Sequence, residues 1–339
     1  MTELYDLIVV GGGPAGSAAA LLARQLRPDA RVLLLDAAEF PRDKACGDGI
    51  APHAVDELSV LGVTDAVVGY PPIRRLRVGS PGGAEVMSAP ARPNYVVPRK
   101  VFDARLVAAA AAAGVEVRRH RVHHLTVGRA WVELDAAVAG RVIIGADGAN
   151  SVRRQAGVAR SPAKHTAIAV RGYAPAPAGT PEQRIAMVAQ GWPAYAWSFP
   201  IGDGTANVGF GKLVTRVGEE GRSGRAELYD GLAELLPDSP ADPATLRAHH
   251  LPLSSGRPRQ PDGRVLLAGD ALSLINPLTG EGIYYALLSG RLAAEAAVEA
   301  PAVAGRTYRR ALGRELGRHL RHTAMLAKAG QLPVSWTPP

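Results

Sequence analysis

The stretch Tyr5-Asp-Leu-Ile-Val-Val-Gly-Gly-Gly-Pro-Ala-Gly16 decides the fold. Residues 5–10, Asp6 apart, are an apolar run of the kind a parallel strand buried on both faces requires. The glycine turn follows: Gly11 permits a tight bend, Gly13 lets backbone approach a pyrophosphate, and Gly16 lets a helix pack closely on the sheet. Residues 17–26 then read as helix, rich in alanine and leucine without a β-branched residue, until Pro28-Asp29 stops it. Arg31-Val-Leu-Leu-Leu35 gives a second buried strand ending at Asp36, where a carboxylate can accept from a ribose hydroxyl. The turn, with Gly12, Pro14 and Ala15 inside it, places unpaired N–H groups and the positive end of a helix dipole where phosphates bind. A glycine turn alone can be purely structural. Strand, turn, helix, strand and acid in this order point to a dinucleotide.

Working outward, 40–49 is a polar, glycine-bearing loop and 52–61 an amphipathic helix. Residues 73–79 and 84–88 alternate like an antiparallel hairpin around Pro81-Gly-Gly83, which breaks the α/β rhythm. Pro98-Arg-Lys-Val-Phe-Asp103 leads into an alanine-rich helix to Ala113, then a strand over 115–118. The parallel sheet resumes at 141–144 and 264–268. Between them lie antiparallel-looking strands at 167–173, 185–190, 194–199 and 206–210. The expected fold is α/β: a Rossmann-like nucleotide-binding domain with a parallel sheet (1–72, 98–160 and 258–300), interrupted by a mostly antiparallel β-sheet substrate domain (73–97 and 161–257). A basic C-terminal helix and tail occupy 301–339.

Composition narrows the function. The chain of 339 residues is long enough for two domains, and its one cysteine cannot form an internal disulfide. No window of about 18 apolar residues suggests a spanning helix. A strand follows Met1 so closely that no signal segment fits, which implies a protein that starts here and stays in the cytoplasm. The nine histidines lack cysteine partners at ligand intervals, so no metal is expected. The net charge of +8 comes with no nucleic-acid motif. Much of it lies between Arg306 and Lys328, which hold seven basic residues and one acid. With Leu312, Leu316, Leu320 and Met325 at helical spacing, 306–328 can lie on an anionic membrane, peripheral to its inner face, or simply be a solvated or self-packed helix.

Two later segments repeat the strand-end turn. Gly145-Ala-Asp-Gly-Ala-Asn-Ser-Val-Arg-Arg154 places Asp147 and Gly148 after a buried strand. Leu266-Leu-Ala-Gly-Asp-Ala271 places Gly269 and Asp270 after another, and Asn276-Pro-Leu-Thr-Gly-Glu-Gly-Ile283 opens a helix whose N-terminus can stabilise negative charge on a ring system.

These three segments, in order, resemble the FAD-binding stretches of the aromatic hydroxylase-type flavoproteins. Pro41-Arg-Asp-Lys-Ala-Cys-Gly47 and Tyr195-Ala-Trp-Ser-Phe-Pro200, the latter followed by Asn207-Val-Gly209, resemble the geranylgeranyl reductase family within them. The resemblance implies bound FAD: Asp36 on the adenosine ribose, Val122 backbone near the adenine, and Arg99 near the phosphate or ribitol. Asp270 would contact the ribitol or pyrophosphate, and Gly280, Gly282 and Ile283, with Pro277 in the same turn, would face the isoalloxazine. Lys44, Cys46 and Gly47 would lie beside the flavin. Arg99 can equally cap a helix, and Val122 can be an ordinary strand residue.

Cys46 is either catalytic, with Lys44 and Arg42 favouring its thiolate, or a small buried apolar residue. Tyr195, Trp197 and Phe199 share a strand face; they line a substrate cavity over the flavin or form an aromatic core stripe. Tyr195 is the one of the three able to donate a proton. The expected activity is reduction of carbon–carbon double bonds in an isoprenoid or similar apolar small-molecule or lipid substrate. The alternative is an NAD(P)H- and oxygen-dependent monooxygenase of secondary metabolism, and a flavin-dependent halogenase ranks third. No second dinucleotide motif is present, so NAD(P)H would be a transient electron donor. The chain ends earlier than reductases of this branch usually do, which implies a smaller or more open pocket.

Overall fold

The computed structural model describes residues 2–148, 152–179, 181–188, 194–216 and 224–329. The expected turn residues 149–151, strand residues 189–190 and tail 330–339 lie outside them. The strand, turn, helix and strand of the opening stretch are β1 (Glu3–Val10), α1 (Pro14–Leu26) and β2 (Val32–Asp36). The helix begins three residues before Ser17, because proline's fixed φ suits the first helical position. Next come β3 (Gly49–Ile50), α2 (Pro52–Val60), the hairpin β4 (Leu76–Gly79) and β5 (Glu85–Ser88), and β6 (Tyr95–Val96), which pairs with β3. Helix α3 (Arg99–Ala112) leads to β7 (Glu116–Arg119), β8 (Leu125–Val127), β9 (Val132–Leu134), β10 (Val138–Gly145) and the short α4 (Val152–Gln155). A run of strands follows: β11 (Thr166–Pro175), β12 (Gln183–Met187), β13 (Tyr195–Pro200) and β14 (Thr205–Leu213), then α5 (Gly224–Leu235) and β15 (Arg247–Pro252). The described chain closes with β16 (Val265–Leu267), α6 (Ile283–Glu299), α7 (Ala304–Glu315) and α8 (Gly317–Ala329).

The first sheet runs β7-β2-β1-β10-β9-β8, with β16 also paired to β10. Strands β7, β2, β1, β10 and β16 are parallel, while β9 and β8 are antiparallel additions. Ile8, Val9, Leu33, Leu34, Val142, Ile143 and Ile144 are fully buried there. Helix α1 packs on β1 and β2 and against both α6 and α3, which covers the apolar parallel strands. Because β1, β2, β10 and β16 are parallel, their carboxyl ends open on one edge, where α/β sheets bind ligands.

The second sheet runs β15-β11-β14-β13-β12-β4-β5 and is antiparallel except where β12 meets β4. One face, with Val170, Ala196, Val208 and Phe210, packs on Leu228 and Leu232 of α5. By the two-residue period of a strand, the opposite face carries Arg171, Tyr173, Tyr195, Trp197 and Phe199.

Sequence reasoning missed α5 and β15. Leu228, Leu232 and Leu235 do show helical spacing, whereas β15, Arg-Ala-His-His-Leu-Pro, is a polar edge strand with little alternation. The expected single C-terminal helix is two, divided at Leu316. Leu312, Leu316 and Leu320 are buried in the core cluster of the first sheet, and only Met325 of the expected apolar stripe is exposed. Those leucines face their own protein.

Candidate active site

A cavity of about 940 Å³ opens at the carboxyl edge of the first sheet and reaches the bare face of the second. Its first wall is built from turns: Gly11, Gly13, Pro14 and Ala15 after β1, Asp36 after β2, Asp147 and Gly148 after β10, and Gly269 and Asp270 after β16. Arg99, Val122, Gly280, Gly282 and Ile283 line it as well, as do Lys44, Cys46 and Gly47 of the 40–49 loop. Its second wall holds Tyr195, Trp197 and Phe199, with adjacent ring centroids 6.1 and 6.5 Å apart.

The turn after β1 has the shape that a dinucleotide needs. A Cβ on Gly16 would stand 1.8 Å from the Gly11 carbonyl oxygen, so a glycine there is what lets the helix sit against the turn. At Gly13 the reverse holds: a Cβ would meet only the ends of Arg42 and Arg99, both 3.7 Å away. No side chain caps α1, so its first-turn amides are left for another acceptor. Arg99 is 4% exposed and grips the fully buried Asp103 through two bonds of 2.7 Å, while Arg42 adds a third at 3.0 Å. Two guanidiniums sharing one carboxylate leave positive charge beside the open turn. Burial works against the Arg99 charge, and Asp103 more than restores it. Arg99 is therefore a buried pair member rather than a helix cap.

Asp36 accepts from the Gly12 amide at 2.7 Å and the Ala38 amide at 2.8 Å. Its backbone oxygen accepts from His120 N–H at 2.7 Å, which brings 120–123, including Val122, to the same end of the cavity. These residues fit FAD: a cradle at Gly13, an uncapped helix, paired arginines and an acid at the end of the second strand. At the other end, Lys44 bonds Asp270 at 3.3 Å. Burial pushes the Asp270 carboxyl up, but Lys44 and His249 hold it below its usual value.

The two walls are tied together by a buried hub. Asn207, fully buried on β14, donates to the Cys46 carbonyl at 2.8 Å and to Asp48 at 2.7 Å, and accepts from Trp197 Nε1 at 2.8 Å. Asp48, also fully buried and left-handed at φ 58°, accepts from Tyr173 at 2.9 Å and from the Arg99 amide at 3.3 Å. Burial raises its carboxyl to about 6, against the pull of Arg171 and of its hydrogen bonds from Asn207 and Tyr173. Arg171 itself binds Asp43 at 2.6 Å and the Lys44 carbonyl at 3.0 Å. A second tie joins Tyr195, whose hydroxyl donates to the Thr279 carbonyl at 2.6 Å, to the turn entering α6. Gly280 follows at φ +70°, where a Cβ would lie 2.4 Å from the Tyr195 oxygen.

Several expected roles change. Lys44 and Arg42 do not favour a Cys46 thiolate: they pair with Asp270 and Asp103, and burial pushes the thiol up despite Arg99. The Tyr195 proton is engaged by a backbone carbonyl, and burial raises its pKa, so Tyr195 is a poor acid. Trp197 donates into the hub rather than into the cavity. Gly12, Gly16 and Pro277 support the wall from behind and do not line it. At the start of α6, Glu281 accepts from the Tyr284 amide at 3.2 Å, so a carboxylate already uses part of that helix end. Sequence reasoning overlooked Asp48, Tyr173, Arg171 and His249. Each is an ordinary polar residue locally, and only the sheet pairing brings them together. His249 lines the cavity, where burial and Lys44 lower it to about 4.

The family model described as FAD binding domain matches residues 5–288. The chain is 35% identical over 323 residues to the menaquinone reductase of Mycolicibacterium smegmatis, covering 87% of this chain and 76% of that one. It is 33% identical to digeranylgeranylglycerophospholipid reductase 2 of Methanopyrus kandleri, covering 87% and 77%. Among solved structures, a geranylgeranyl bacteriochlorophyll reductase-like protein of Thermoplasma acidophilum superposes with a TM-score of 0.84 at 23% identity, covering 98% of this chain and 89% of that one.

Proposed function

The chain belongs to the FAD binding domain family and, within it, to the geranylgeranyl reductases; it is an FAD-dependent oxidoreductase, and on that premise we propose that it reduces carbon–carbon double bonds in an isoprenoid or similar apolar chain. The carrying observation is the continuity of the cavity from the glycine turn to the aromatic wall, where Ala169, Ile185, Leu251 and Ile275 add apolar lining. The names of the menaquinone and digeranylgeranylglycerophospholipid reductases point to the same substrate class.

Reduced FAD, when bound, supplies a hydride to one alkene carbon, and the neighbouring carbon then needs a proton. The chain's own work is placement. Gly11, Gly13, Ala15 and Asp36 would hold the dinucleotide end, with Arg99 and Arg42 countering phosphate charge. Asp147, Gly148, Gly269 and Asp270 would border its middle, and Gly280, Gly282 and Ile283 its ring. Tyr195, Trp197 and Phe199 would hold the apolar chain against that ring and exclude water. Proximity of this kind is worth about 7–11 kcal/mol. Cys46, held as a thiol at rest by burial, would deliver the proton from Sγ and be left as a thiolate whose charge Arg99 beside it offsets, whereas the Tyr195 proton is tied to a backbone carbonyl.

A nicotinamide dinucleotide would serve as a transient donor, because the chain carries one dinucleotide turn of this kind. Among the described residues, no helix is long and apolar enough to cross a membrane. A peripheral contact through 306–328 would rest mainly on the exposed Arg306, Arg310, Arg314, Arg318 and Arg321, since Leu312, Leu316 and Leu320 are buried and only Met325 and Leu326 offer exposed apolar surface. It would therefore weaken with salt.

The test is anaerobic. Reduced holoenzyme mixed with a polyprenyl substrate should return to the oxidised flavin spectrum and yield the saturated product. Product formation that requires oxygen and inserts a hydroxyl would replace this reading with a monooxygenase. In the same assay, Cys46→Ala should keep its FAD and lose about a hundredfold in kcat. Unchanged kcat would leave Cys46 with packing alone.

A further inference from the structure

A second cavity, of about 310 Å³, lies between the 257–260 segment and α7 and shares no lining residue with the first. Arg257, Arg259 and Arg309 line it, over a floor of Leu272 and Leu312. One carboxylate, Asp262, serves two of these arginines: it bonds Arg259 at 3.2 Å and also pairs with Arg309. Arg257 has no such partner among the described residues, and its Nη1 is buried without an acceptor. Burial works against its charge and Arg321 adds repulsion. Arg257 as a whole is half-buried, and a cation so placed with no counter-charge carries a desolvation cost that an anion beside it would offset.

We propose that this cavity binds a phosphate-type oxyanion, held by Arg257 with Arg259 and Arg309 at its rim. Guanidinium forks match phosphate oxygens two at a time. The leucine floor suits the carbon side of a phosphate ester. The exposed arginines of α7 and α8 would draw anions to the same face. The ligand is a phosphate group, whether free in solution or on a lipid headgroup.

Inorganic phosphate titrated calorimetrically into the full-length, FAD-loaded protein at low ionic strength should show one site. Its affinity should fall about tenfold or more in Arg257→Gln and stay unchanged in Arg75→Gln, an exposed position outside both cavities and outside 306–328. Without phosphate, Arg257→Gln should melt no lower than the parent, since it removes a half-buried charge with no ion-pair partner among the described residues. Should that variant fail to fold, Arg259→Gln, whose side chain is 74% exposed, supplies the same test with a weakening of about threefold. Absence of binding, or equal affinity in the parent and both cavity variants, overturns the site. The source is read with vesicles of phosphatidylcholine carrying phosphatidylglycerol. Retention that drops in Arg257→Gln but not in Arg75→Gln assigns a lipid headgroup; equal retention alongside altered phosphate affinity assigns the free ion.

Discussion

The two walls of the main cavity are made of different material. The wall on the first sheet is largely backbone: turns at strand ends, helix termini, and glycines where another residue would collide. The wall on the second sheet is side chains, three aromatic rings of which Trp197 is held by a buried amide and Tyr195 by a backbone carbonyl. On the proposed reading, the backbone wall recognises what every FAD shares, its phosphates and ring edge. Side-chain walls can be exchanged for a different substrate without moving the cofactor. The join between them is the 43–48 loop, which touches both.

The largest effect should come from the backbone wall. Gly16→Val drives a side chain into the Gly11 carbonyl; purified protein should carry under about a tenth of the parent's FAD by absorbance and be destabilised by at least about 1–3 kcal/mol. Retention of flavin would mean that the turn can yield, and the contrast between the walls would fail. Next is Asp48 at the join. Its carboxyl is raised from about 3.8 to about 6, so its contribution is complete below the unfolded value and is lost as pH rises through 6. Measured by denaturant, the unfolding free energy of Asp48→Asn should gain on the parent by about 2 kcal/mol between pH 4 and pH 7. A difference that stays flat with pH would show that Asp48 is already ionised at low cost. The smallest effect belongs to the side-chain wall. Asn207→Leu strips partners from Trp197 Nε1 and the Cys46 carbonyl and should cost about 1–3 kcal/mol. It should raise KM for the polyprenyl substrate at unchanged FAD content. Loss of flavin in this variant would show that the walls are not separable.

The same division explains what could be read from the sequence. The cofactor wall was legible because backbone chemistry has fixed spacing: Gly11, Gly13, Gly16 and Asp36 announce a turn and an acid within one supersecondary unit. The aromatic stripe was legible for a similar reason, as three rings at a two-residue period. The hub was not, because Asn207 meets partners 159 and 161 residues away, and no local pattern records that pairing. The Cys46 environment was misjudged by counting basic neighbours along the chain. In space Lys44 and Arg42 were already spoken for by Asp270 and Asp103, and desolvation decided the outcome. The C-terminal leucines had the right period, but periodicity does not say whether the covering surface is lipid or protein.

The bond from the Tyr195 hydroxyl to the Thr279 carbonyl joins the aromatic strand to the turn that enters α6. On the proposed reading that strand selects the substrate and that turn borders the flavin ring, so variants that widen the aromatic wall at Tyr195 to admit a bulkier chain should also shift the midpoint potential. Screening for new substrates at that position would then retune the flavin in the same step.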